Sequence, residues 1–133
     1  MFKIKLELDG RQYVVENFNY SIGRYYGEDT DSNADLANIS LSIRVEKLDQ
    51  TFLNWCEKGD KQRKNGKFAV LDLEKETTVQ TINFEQGYCS ALSGSVYPND
   101  SYNGNPVMSF TIAAKTLTVK LSKEQGKRAS DEA

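Results

Sequence analysis

The chain has 133 residues and a formal net charge of -2, which is the size of one domain and leaves no cationic excess for gripping nucleic acid or an anionic membrane. Hydrophobic residues make up 38% and charged residues 27%, enough apolar side chains for a modest core beneath a wet surface. Histidine is absent, which removes the commonest general base and the commonest zinc ligand together.

In chain order, "FKIKLELDG" places Phe2, Ile4, Leu6 and Leu8 on one face and Lys3, Lys5, Glu7 and Asp9 on the other, the period of a half-buried strand. Asp9-Gly10 predicts a tight hairpin turn, because both residues tolerate positive φ. "QYVVENFNYSIGRYY" continues as a second strand, with Phe18, Tyr20 and Ile22 in phase and a slip near Glu16-Asn17 that predicts a bulge. Residues 27 to 38, "GEDTDSNADLAN", are rich in acids and turn formers and read as a long exposed loop. "NISLSIRVEKL" then alternates again, with Ile39, Leu41, Ile43 and Val45 inward and Ser40, Ser42, Arg44 and Glu46 outward.

One amphipathic helix is expected next. Asp49 is its N-cap, Phe52, Trp55 and Cys56 form an apolar stripe, and Gly59 ends it. "KGDKQRKNGK" reads as a basic turn, with Asn65-Gly66 opening the following strand. "KFAVLDLE" and "TTVQTINFEQGYCSALSGSV" are further strands joined through Lys75-Glu76, and the last long strand covers about 107 to 120 with a bulge near Lys115-Thr116. The tail after Leu121, "SKEQGKRASDEA", has nothing to bury and reads as disordered, leaving residues 1–121 as a single domain. About seven strands and one helix give a mainly β protein, an antiparallel barrel or sandwich with the helix plugging or flanking it.

The search for chemistry finds no enzyme. Cys56 and Cys89 lack ligand spacing or a reactive-thiol motif, and the absence of a secretory-signal pattern fits buried reduced thiols in a protein made in the cytoplasm. Asp29, Asp31, Asn33 and Asp35 recur every second residue like the start of a calcium loop, but the expected Gly and distant Glu are out of register, so a solvated loop is the reading. No cofactor or metal is expected. Tyr25 and Tyr26, beside Arg24 and an acidic loop, fit protein–protein contact better than base stacking. No apolar stretch approaches the roughly 18 residues of a membrane span.

The order of features resembles a known family. A short hairpin leads into "NYSIGR", a long polar loop and a Ser-rich alternating strand; a single helix carrying Trp follows, then "NFEQGYCSALSGSV" and "NPVMSFTIAAKTLTV". This pattern, over about residues 2 to 119, is similar to the tube-forming Hcp (TssD) proteins of type VI secretion systems, in particular the compact Bacteroidetes version. The resemblance implies a small antiparallel β-barrel with one flanking helix, Hcp-like or tail-tube-like. Six copies would join sheet edges into a ring, and rings would stack into a hollow tube driven by a contractile sheath. It further implies the sheath, baseplate and VgrG-type spike proteins as partners, effector proteins as cargo in the lumen, and export through the apparatus without a signal peptide.

On this resemblance, the loop carrying Tyr25, Tyr26, Glu28, Asp29, Asp31 and Asp35 reaches onto the adjacent ring, and the basic turn of Lys58, Lys61, Arg63, Lys64 and Lys67 faces it. Ser40, Ser42, Arg44, Ser109, Thr111 and Lys115 form the candidate lumen face; a water-filled lumen and plain solvent suit these side chains equally. The long strands 39–47 and 107–120 are expected to offer open edges that the next subunit closes, and proline at Thr111 is expected to abolish assembly, if not folding itself. Two rivals stand beside this reading: the tube protein of a phage tail or extracellular contractile particle, and a monomeric small-ligand-binding β-barrel.

Overall fold

In the computed structural model, which describes residues 1–23, 37–44, 47–95 and 107–122, strands β1 (Phe2–Leu8) and β2 (Arg11–Val15) form the expected hairpin. Asp9 and Gly10 both take positive φ, 56° and 76°, so the two-residue turn has the twist that antiparallel strands require. The chain then bends at Glu16, whose N–H donates to the Ser42 carbonyl at 2.7 Å, and continues as β3 (Asn17–Ile22). That is the slip expected at Glu16-Asn17, and it moves the chain from one half of the sheet to the other. β3 pairs with β4 (Ala37–Arg44), where Ile39, Leu41 and Ile43 are buried as the alternation predicts; Val45 and Glu46 lie outside the described residues.

After the helix come β5 (Lys64–Asp72) and β6 (Thr77–Ser95), joined by a turn in which the Asp72 carboxylate accepts from the N–H groups of Glu74 and Lys75. β6 is one unbroken strand of 19 residues. Its first half pairs with β5, and its last eight residues belong to the half of the sheet that contains β3 and β4. The terminal ribbon is two strands, β7 (Val107–Ala114) and β8 (Thr116–Leu121), interrupted at Lys115 as expected, and both run along the same edge of β6. Among the described residues the strand order is β2-β1-β5-β6-β7-β4-β3, with β8 added to β6.

The fold is the expected mainly β, antiparallel one with a single helix; among the described residues its sheet is not closed by a continuous ladder, and the outermost strands, β2 and β3, are successive in the chain and meet through the bend at Glu16. One expectation changes here: the strands within 39–47 and 107–114 are not open at their edges. β4 lies between β3 and β7, and β7 lies between β4 and β6, so both spend their backbone groups inside the subunit.

Helix α1 (Gln50–Lys58) begins where Asp49 accepts the Phe52 N–H at 2.9 Å and ends at Gly59, whose φ of 59° costs an L side chain steric energy. Its stripe of Phe52, Trp55 and Cys56 is buried against the barrel. Phe52 packs edge-on against Tyr13 and Phe110, both at 4.9 Å between ring centroids, while the Trp55 indole N–H donates to the Gln62 carbonyl at 2.9 Å. Phe18, Phe68 and Phe84 form a second aromatic row. Truncating a buried ring of this kind to Ala typically costs about 3–5 kcal/mol. Gly66 and Gly87 flank the Phe84 ring so closely that a Cβ on either would lie 2.4 or 2.7 Å from it. Asn65-Gly66 opens β5 as expected, and the Phe84 ring leaves no room there for a side chain.

Candidate functional site

The register of four strands builds one continuous polar surface. Asn17 pairs with Ser42, Ser42 with Ser109, and Ser109 with Ser93, giving one row across β3, β4, β7 and β6. The next row is Asn19, Ser40, Thr111 and Ala91, and a third is Ser21, Asn38, Ala113 and Tyr88. Paired residues in an antiparallel ladder share a face, so the inward alternates Phe18, Ile39, Leu41, Phe110 and Ile112 leave small hydroxyl and amide groups on the other side. A register shift beside Ser90 keeps Cys89 inward while Ala91 and Ser93 face outward.

This surface is concave and nearly neutral. A shallow depression of about 320 Å³ runs across it, lined by Asn17, Ser40, Ser42, Ser93, Ser109 and Thr111, with the exposed Leu92 and parts of Leu41, Ala91 and Phe110 between them. The Ser42 and Ser109 hydroxyls lie 3.1 Å apart, and Ser90 donates to the Thr111 carbonyl at 3.2 Å. Ser42 is only 8% exposed, held in the floor by that hydroxyl pair rather than standing out from the face. Arg44, at one end, is neutralised by Glu16 at 3.5 Å. Ser40, Ser42, Ser109 and Thr111 therefore come together as the alternation predicts, with Arg44 on the bordering row. Lys115 does not join the rows: it occupies the break between β7 and β8, its N–H bonded to the Glu85 carbonyl. Asn17, Asn19 and Ser93 escaped the sequence reading, although the alternation of "NFNYS" carries a signal for the first two.

The basic group is divided by its local contacts. Lys64 and Lys67 stand in β5, where they pair with Asp9 and Glu7 of the first hairpin. Arg63 donates to the Gln86 carbonyl at 3.0 Å and lies over the Tyr88 ring at 4.6 Å, at the border of the polar surface. Lys58 and Lys61 are exposed at the end of α1 and in the 3₁₀ turn Gly59–Lys61. Tyr25, Tyr26, Glu28, Asp29, Asp31 and Asp35, expected opposite them, lie outside the described residues. Among the described residues, no three acidic or cysteine side chains gather to hold a metal ion.

The interior between the sheet halves is filled by Trp55, Phe52, Phe68, Phe84 and Phe110 with their aliphatic neighbours, each under 2% or at most 2% exposed. That packing leaves the centre of the barrel to side chains rather than to a small apolar ligand.

Comparison with solved structures finds the same fold. Hcp1 from Flavobacterium johnsoniae superposes with a TM-score of 0.68 at 17% identity, covering 90% of this chain and 96% of that one. Hcp1 from Salmonella typhimurium gives 0.71 at 11% identity, covering 90% and 86%. The sheath–tube complex of an extracellular contractile injection system, PVC, gives 0.64 at 12% identity, covering 90% and 89%. No relative is found among curated proteins. A family model described as hemolysin coregulated protein Hcp (TssD) matches residues 1–125, so the chain belongs to the TssD family.

Proposed function

We propose that this chain is the tube subunit of a type VI secretion system and that the polar surface of β3, β4, β7 and β6 lines the tube's channel. The observation that carries the placement is the pair of open edges flanking that surface. Among the described residues, the outer edge of β3 and the edge of β6 beyond Gly87 have no strand partner. Every neighbouring pair in this four-stranded set is antiparallel, so β3 and β6 run in opposite directions. A copy related by rotation about a ring axis would bring its β3 antiparallel to this β6, and the ladder would continue from subunit to subunit.

A ring of six such copies would carry hydroxyl and amide groups around its inner wall. Such a wall is wetted and, Leu92 apart, offers passing effector proteins little charge or apolar grip, which suits transit. The helix and the charged β1–β5 surface would then lie outward, towards the sheath, with the ring's ends left for stacking, the baseplate and the spike. Lys58 and Lys61 are the exposed cations available to meet the acidic loop of Glu28, Asp29, Asp31 and Asp35 on an adjacent ring, a contact that would set register more than affinity. The likeness to the PVC sheath–tube complex supports the same subunit geometry in a free contractile particle, and neighbouring genes would separate the two settings.

Negative-stain electron microscopy with light scattering tests the reading. Open-centred rings at about six times the 15.0 kDa monomer are expected. A monomer that takes up a fluorescent fatty acid would put the ligand-binding barrel in its place.

A further inference from the structure

The channel reading makes no use of the face of β2-β1-β5-β6-β8 that is turned away from the core. The strand register sets Val14, Lys5, Ala69, Thr81 and Lys120 in one row across it. Glu7, Lys67 and Asn83 stand in the row on one side, and Lys3 pairs with Leu71 in the row on the other. The alternates Leu6, Phe68, Ile82 and Phe84 are buried, so these rows share the opposite face. Their charge is one-sided. Glu7 is engaged by Lys67 at 3.7 Å and by the Gln12 amide at 3.3 Å, and Glu85, at the border, accepts from Thr116 at 3.2 Å. Lys3, Lys5 and Lys120 have no acidic partner among the described residues.

We propose that this face docks an acidic α-helix of a partner protein, laid along β5 and β6 between Lys3 and Lys5 on one side and Lys120 on the other. The small side chains of Ala69 and Thr81 form a low floor between the lysines. From β1 to β8 the sheet takes three strand steps of about 4.8 Å, about 14 Å in all. A helix with its side chains is about 10–12 Å across, so it fits between the two lysine lines. Lys3 and Lys5 stand about 6.7 Å apart along β1. That is close to the rise of about 6 Å from residue i to residue i+4 of a helix, while residue i+2 lies about 200° round and faces Lys120. A depression of about 520 Å³ opens at the Lys67 end, lined by Glu7, Gln12, Asn65, Lys67 and Asn83 among others, so the trough has room to continue there. A nucleic acid suits the face less well, because Glu7 and Glu85 border it and no arginine stands in its described rows. Exposed lysines favour encounter and orientation over affinity, so binding should be weak and should fall as salt rises. This inference rests on the sheet face and not on the tube reading, so either can fail alone.

The probe is a fluorescein-labelled alanine-based helix of about 18 residues, bridged on its solvent side and carrying Glu at i, i+2 and i+4. Fluorescence anisotropy at low salt should show saturable binding to the purified protein in whatever assembly it forms. Lys3→Ala, Lys5→Ala and Lys120→Ala together should weaken that binding by about tenfold, whereas Lys58→Ala with Lys61→Ala should leave it unchanged. A proline placed mid-peptide, which breaks the helix, should weaken it as much. Carbodiimide cross-linking of the wild-type complex should join the peptide carboxylates to Lys3, Lys5 and Lys120. Absence of saturable binding would overturn the proposal, and so would cross-links centred on other lysines. Binding indifferent to the mid-peptide proline would remove the helix from it. Single-stranded DNA held more tightly than the peptide at the same salt would assign the face to nucleic acid instead. The cross-link map is read on wild type, so it stands even if a variant misfolds.

Discussion

Asp49 shows how much a single carboxylate can organise. It accepts the Phe52 N–H at the start of α1, the Tyr13 hydroxyl at 3.0 Å and the Arg11 guanidinium at 3.1 Å, so one side chain joins β2 to the helix. The bond from the Phe52 backbone, then those from Tyr13 and Arg11, hold its carboxyl below the usual range. Burial, reinforced by the bond to Asp49, raises the Tyr13 phenol from its ordinary value of 10.0 to about 12. The signs of the two linkages are opposite. For Asp49 the folded value is lowered, so its contribution is present above the ordinary carboxylate range and is lost as pH falls through the folded value. For Tyr13 the folded value is raised, so its contribution is complete below pH 10.0 and fades as pH rises through about 12. Asp49→Ala should cost about 1 kcal/mol at neutral pH through the lost cap. Asp49→Asn keeps a capping oxygen but cannot ionise, so its melting temperature should approach that of wild type as the medium is acidified below about pH 4. Tyr13→Phe should flatten the alkaline limb. Thermal melts across pH check all three, and an acid limb of Asp49→Asn parallel to wild type would refute the linkage.

At the scale of the element, β7 decides what holds the sheet together. Its backbone pairs with β4 on one side and β6 on the other, and Phe110 and Ile112 are buried in the core. Proline at Thr111 removes an N–H from this interior ladder and forces its ring into a filled space. Thr111→Pro should therefore lose the cooperative melt of the subunit itself, seen by circular dichroism, rather than yield a folded monomer unable to assemble. A folded Thr111→Pro monomer would mean that β7 is more peripheral than its pairing indicates. The hairpin at Asp9-Gly10, the capped helix and the breaks at Glu16 and Lys115 were legible in the sequence, because each is written in local chemistry: a positive-φ pair, a capping carboxylate, a slip of phase. Which strand lies beside which was not legible. Ladder partners such as Leu41 and Phe110 are remote in sequence, and alternation fixes a residue's face but not its neighbour. The same limit shaped the site: Ser40, Ser42, Ser109 and Thr111 followed from alternation, while Ser93 joined them only through the register of β6. Gly66 opens β5 as the sequence suggested, but why the position takes glycine was not legible, since it is the ring of Phe84, 18 positions away, that a Cβ there would meet.

For the whole molecule, the remaining question is which open edges meet when copies assemble, and strand direction separates two answers. The set β3-β4-β7-β6 has an even number of antiparallel strands, so rotation closes it through an antiparallel seam between β3 and the end of β6. The other path, β2-β1-β5-β6-β8, has an odd number, so β2 and β8 point the same way and rotation would close it through a parallel seam. Antiparallel pairing is slightly the more stable per residue. It would also continue the proposed channel surface of Ser40, Ser109 and Thr111 from one copy to the next. β8 nevertheless carries Val119 and Leu121 at 37% and 73% exposure, so apolar burial argues for the parallel seam. Hydrogen exchange measured on assembled and dissociated protein weighs one argument against the other. Those backbone amides of Asn17–Ile22 and of residues 90–94 that point away from β4 and β7 should slow by about tenfold or more on assembly, because an amide in a ladder exchanges only when the ladder opens. Amides of β7, already paired on both sides, should change little. If the new protection falls instead on Arg11–Val15 and Thr116–Leu121, the ring closes through the parallel seam. The hydroxyl-lined surface then faces away from that seam, and its assignment to the channel falls with it.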